Sequence, residues 1–164
     1  MDELTFGDFW TRGKELESEA ATLLGKMLFE FSRLDVNLGL CLVWIDGGSK
    51  LASLTKTVST YNMNTKLDEL AKLVDAKLTP GSKRHKAYKT WLEQAHKVRQ
   101  QRNDLVHGRW GVDAAKNQVI NILGLPTSDA QCEIRYSIKE LASINEDLQK
   151  LQQELSRLRT HWPL

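Results

Sequence analysis

The chain has 164 residues, 41% apolar and 27% charged, with a formal net charge of +2, enough to bury a core without disulfide or metal staples. Its longest apolar run, Leu38 to Ile45, falls far short of the roughly 20 residues of a membrane span, so no membrane association is expected. The acidic opening Met1-Asp2-Glu3 lacks a secretory pattern, and Cys41 and Cys132 stand isolated in hydrophobic segments as buried small hydrophobes, which together predict a cytoplasmic protein.

In chain order, Glu15 to Ile45 predicts a long first helix, with Leu16, Ala20, Leu23, Leu24, Met27, Leu28, Phe31, Leu34, Leu38, Cys41, Leu42 and Ile45 at three- and four-residue steps. Asp46-Gly47-Gly48-Ser49 ends it with turn chemistry. A short helical piece over Leu51 to Val58 follows, then a helix capped by Asn64 or Thr65 and running to about Lys77. Thr79-Pro80-Gly81-Ser82 breaks the chain before a third major helix, His85 to His107, which Gly108 stops. The period then changes to two. Val119–Leu123 and Cys132–Tyr136 predict two strands joined as a hairpin. Ser137-Ile138-Lys139-Glu140 is a capping box opening a last helix to about Thr160. There Leu141, Ile144, Leu148, Leu151, Leu155 and Leu158 form a bundle seam. The fold expected is mainly α, an antiparallel helical bundle in one domain over 1–164, with a small β-hairpin inserted before the last helix.

Charge is unevenly distributed. Between Lys77 and Arg109 nine Lys or Arg face only Glu93 and Asp104, a local +7 that leaves −5 for the rest. A basic stretch of this kind suits a polyanion, and it also occurs as a solvated lysine-rich helix. On the third helix, Trp91, Ala95, Val98 and Leu105 form an apolar stripe whose missing position is Arg102. A guanidinium there must snorkel, meet an acid or open onto a polar cleft at a subunit contact. His96, Arg99, Gln100, Asn103 and His107 share a polar face, with Asn103 four residues before His107 and able to orient its imidazole. His107 lies in the last turn, where the helix dipole favours the protonated ring. Arg102 and His107 are separated by about 140° around an ideal helix, so they converge only if the helix frays at His107 or two chains share a cleft.

No metal site is expected. His85, His96 and His107 recur every 11 residues and stand about 16 Å apart along the helix axis, and no Cys pair or His-Glu motif assists them. No Gly-rich phosphate loop and no nucleophile elbow occurs, and no cofactor is implied. Of the five tryptophans, Trp110, beside Arg109, is the candidate for stacking on a base.

The string Arg102-Asn103-Asp104-Leu105-Val106-His107, the only Arg-x4-His in the chain, resembles the R-x4–6-H motif of the HEPN superfamily, with Asn103 as the polar residue after the arginine. The resemblance implies a homodimer of compact helical bundles in which Arg102 and His107 line a composite cleft. It further implies metal-independent endoribonuclease activity leaving a 2′,3′-cyclic phosphate. Many members are toxins or phage-defence effectors with a cognate antitoxin; others are non-catalytic modules that bind RNA, nucleotide or protein. In the catalytic reading His107 moves the proton, Arg102 stabilises the transition-state charge, and Asn103 orients the ring or contacts phosphate. Arg99 and Arg109 are secondary phosphate binders and Trp110 a stacking platform. A third reading makes Arg102 and His107 a structural network closing the helix end.

Overall fold

A computed structural model describes residues 5–164; the acidic opening Met1-Asp2-Glu3 lies outside the described residues. The chain is mainly helical, with a three-stranded antiparallel sheet before the last helix.

Helix α1 spans Phe6–Val43 and begins well before the expected Glu15. Its start is set by Thr5 and Asp8: the Thr5 N–H donates to Asp8 Oδ2 at 2.7 Å and the Asp8 N–H donates to Thr5 Oγ1 at 3.3 Å, a reciprocal capping box. Periodicity misses this turn because Phe6 and Trp10 are exposed and mark no core face. Leu28, expected inside, is 46% exposed because Met27 holds the inward position at that turn. Past Val43 the chain turns through Asp46, Gly47 and Gly48, three successive residues with positive φ.

Helices α2 (Leu51–Val58) and α3 (Met63–Lys77) follow. The cap of α3 is Asn62, not Asn64 or Thr65: its Oδ1 accepts the Thr65 N–H at 2.9 Å, which places Thr65 in the capped first turn. Ser82 opens α4 (Lys83–His107) by accepting the His85 N–H at 3.2 Å. The expected hairpin is part of a larger sheet. A strand β1 (Arg109–Asp113), unforeseen from the sequence, pairs antiparallel with β2 (Gln118–Leu123), which pairs with β3 (Cys132–Tyr136). Cys132, expected to be buried, is exposed at the start of the edge strand β3; Cys41 is buried. Ser137 and Glu140 exchange hydrogen bonds as a capping box and open α5 (Ile138–His161), all six of whose seam residues are buried.

Contacts group the chain into two units, with α1, α4 and α5 each passing from one to the other. One unit comprises the chain up to Phe29 with Gln101–Asp147. Leu16, Ala20, Leu105, Val119, Leu141 and Ile144 are buried there, and Asn145 Nδ2 donates to the Leu23 carbonyl at 3.0 Å. The other comprises Glu30–Gln100 with Leu148–Leu164. In it Trp91 Nε1 donates to the Leu151 carbonyl at 2.8 Å, and buried Lys66 pairs with Asp35 at 2.8 Å. No helix among the described residues is long and apolar enough to cross a membrane.

Candidate functional site at the end of helix α4

The last turn of α4 is locked by the sheet that follows it. The Asp104 carbonyl accepts two donors, the Gly108 N–H at 3.0 Å and Asn121 Nδ2 at 2.9 Å. The Leu105 carbonyl accepts Trp110 Nε1 at 2.9 Å. Carbonyls at a helix C-terminus lack a partner within the helix, so Trp110 satisfies the Leu105 carbonyl that would otherwise need water, and Asn121 gives the Asp104 carbonyl a second donor. Trp110 and Asn121 are direct register partners across β1 and β2. Asn121 is fully buried.

Gly108 makes this arrangement possible. It is not a left-handed stop, since its φ is not positive. A Cβ at position 108 would fall within the Asn121 carboxamide, so only glycine admits the close approach. The helix therefore does not fray at His107. It remains helical to that residue and, after Gly108 alone, enters β1 at Arg109.

His107 is exposed and its side chain makes no hydrogen bond among the described residues. Arg102 is half-buried, and its Nη1 donates to Asn103 Oδ1 at 3.3 Å. The Asn103 oxygen thus meets the neighbouring arginine, and no hydrogen bond joins Asn103 to the imidazole of His107 among the described residues. Because α4 is unbroken, the ~140° separation of Arg102 and His107 holds, and one copy of the chain does not bring them to one point. Trp110 is half-buried, with its indole N–H spent on Leu105 and its ring 5.9 Å from that of Tyr136. Its indole caps the helix end and packs against Tyr136. Arg109 is exposed and bonded to Gln131 of the β2–β3 loop. Arg99 is half-buried on the neighbouring turn, with its Nε sealed from solvent and without a hydrogen bond.

Between His96 and Asp104 no residue of α4 is fully buried, although Val98 and Arg102 continue the apolar stripe. The basic stretch is partly neutralised: Lys77 pairs with Asp46, and Lys89 with Asp75 at 3.3 Å. Lys83, Arg84, Lys86 and Lys97 are exposed and have no ion pair among the described residues. His85 is hydrogen-bonded to Asp75 at 2.8 Å, and His96 lies 3.9 Å from Asp68. No group of three or more His, Cys, Asp or Glu among the described residues is arranged to hold a metal ion.

Asn121 is a functional residue that periodicity does not single out: a polar residue at an inward strand position is its signal, and its partner Gly108, read from local residues, is only a helix stop. Comparison with protein-family models, with curated proteins and with solved structures yields no match to this chain.

Proposed function

We propose that two copies of this chain form a metal-independent endoribonuclease of the HEPN type, with Arg102 and His107 from different copies meeting over one phosphate. What carries the reading is the state of His107: a solvent-exposed imidazole with no internal hydrogen bond, fixed at a helix end that Gly108, Trp110 and Asn121 hold rigid. A backbone held in place beneath an accessible imidazole serves acid–base chemistry. The exposed Lys83, Arg84, Lys86 and Lys97 of α4, without ion pairs among the described residues, suit a polyanion.

In the cleft, one neutral His107 accepts the proton of the RNA 2′-hydroxyl as its oxygen attacks the adjacent phosphorus. The departing 5′-oxygen takes a proton from water, a 2′,3′-cyclic phosphate remains, and the imidazolium then returns its proton to solvent. Arg102, steered by Asn103, neutralises the charge that builds on the non-bridging oxygens. Arg99 and Arg109 hold flanking phosphates. In the same reading the protein is a cytoplasmic toxin or phage-defence effector restrained by a cognate antitoxin, and its unrestrained expression arrests growth. The test is incubation with RNA in EDTA: cyclic-phosphate ends form with wild type and not with Arg102→Ala or His107→Ala. Undiminished cleavage by both variants overturns the assignment.

A second reading, a non-catalytic module that binds RNA, nucleotide or a partner protein, is favoured by one observation: Asn103 is bonded to Arg102 and leaves His107 without an orienting partner. Such a module binds RNA yet releases no products at any pH.

A further inference from the structure

A cavity of about 340 Å3 opens beside the last turns of α5, in the size range of small-molecule sites. Arg159, Ser156, Thr160, Trp44, Tyr88 and Cys41 contribute to its lining. Two arginines of α5 differ sharply here. Arg157 is clamped by both oxygens of Glu154, at 2.8 and 2.6 Å. Arg159 is half-buried with no carboxylate in ion-pair range among the described residues. Its charge is felt by its neighbours: burial pushes the Cys41 thiol and the Tyr88 phenol upward, and the Arg159 guanidinium opposes the rise in both.

The aromatic wall is built to stay in place. Trp44 is 50% exposed, and its ring lies over Gly48, where a Cβ would come within 2.7 Å of the ring. The intervening turn holds Asp46 at φ 50, a left-handed conformation costly for a residue with a side chain. That turn is tied down by the Asp46–Lys77 ion pair. Tyr88 is fixed by its hydroxyl donating to the Trp162 carbonyl at 2.9 Å. A half-buried guanidinium with no carboxylate in ion-pair range, lining one cavity with an indole held in place, suits a flat anion. The C-terminal end of α5 presents carbonyls, so Arg159 has to supply the attraction.

We infer that this cavity binds a small organic anion with a flat apolar body, its carboxylate or phosphate group on Arg159 and its ring against Trp44. The site is independent of the reading of Arg102 and His107. The experiment is calorimetric titration of the whole chain with benzoate, phenyl phosphate and the neutral benzamide, paired with emission quenching compared in wild type and Trp44→Phe. The expected result is saturable binding of at least one anion below about 1 mM, no binding of benzamide, and quenching that disappears in Trp44→Phe. The anion preferred tells a carboxylate ligand from a phosphate ester. Arg159→Gln weakens binding about tenfold or more while Arg159→Lys retains part of it. Absence of binding by both anions, equal binding of benzamide, or unchanged affinity in folded Arg159→Gln overturns the inference; if Arg159→Gln does not fold, the benzamide comparison on wild type decides it.

Discussion

Trp110 and Asn121 face each other across β1 and β2, and both donate into the final turn of α4, to Leu105 and Asp104. This couples the sheet to the position of His107. The coupling is open to measurement at the glycine that permits it. Gly108→Ala forces the Asn121 carboxamide out of its place and should destabilise the fold by about 2–4 kcal/mol. Gly108→Ala combined with Asn121→Ala should cost less than the sum of the two single changes, as read from a double-mutant cycle in urea. Strict additivity would show that the two positions do not share space.

Trp110→Phe keeps the ring beside Tyr136 and removes only the donor to the Leu105 carbonyl. The expected loss is about 1 kcal/mol, from the net worth of one hydrogen bond. If the helix end also orients His107, the same variant lowers RNA cleavage more than it lowers the melting temperature would explain at the assay temperature.

A composite cleft has an arithmetic signature. If each site takes Arg102 from one copy and His107 from the other, mixing Arg102→Ala with His107→Ala regenerates one intact site per mixed dimer. Random exchange then returns about a quarter of wild-type cleavage. No recovery after exchange would mean that both groups must come from the same copy.

Lys66 is buried and its ammonium is held by Asp35, at 2.8 Å to the carboxylate and 3.3 Å to the backbone oxygen. Asp35→Ala leaves that charge sealed without its counter-ion and should cost about 3 kcal/mol. Lys66→Met, which removes the charge and fills the same channel, should cost much less in chemical denaturation.

Acid should loosen the sheet and the start of α5. The Asp113 carboxyl is held below its ordinary value by the Arg135 guanidinium and the Lys116 N–H, and Glu140 by the backbone and hydroxyl of Ser137. A carboxylate depressed in the folded state contributes stability that is present above its unfolded pKa, about 4. That contribution is lost as pH falls through the lower, folded value. Asp113→Asn with Glu140→Gln should therefore flatten the acid limb of the stability curve below pH ~4, followed by circular dichroism.

The helices were legible where one face is buried along their whole length. The leucine seam of α5 repeats without interruption, and the Ser137–Glu140 box marks its start, so both limits follow from local residues. β1 was not legible because Arg109-Trp110-Gly111-Val112-Asp113 offers only two apolar side chains around a glycine. Its strand character comes from pairing with β2, which is a tertiary matter. The angular offset between Arg102 and His107 could be read from spacing alone. The partner of Asn103 could not, because the adjacent guanidinium competes with the ring one turn away, and only packing decides between them.

The strand order β1-β2-β3 leaves β3 at a margin of the sheet, with the Cys132 thiol exposed on it. Margins of this type can associate with one another, and an accessible thiol there can be oxidised to a covalent bridge between molecules. Material aged in air would then show a crosslinked species that vanishes with dithiothreitol and in Cys132→Ser. A pairing that survives both treatments is the one relevant to a cleft shared by two helices.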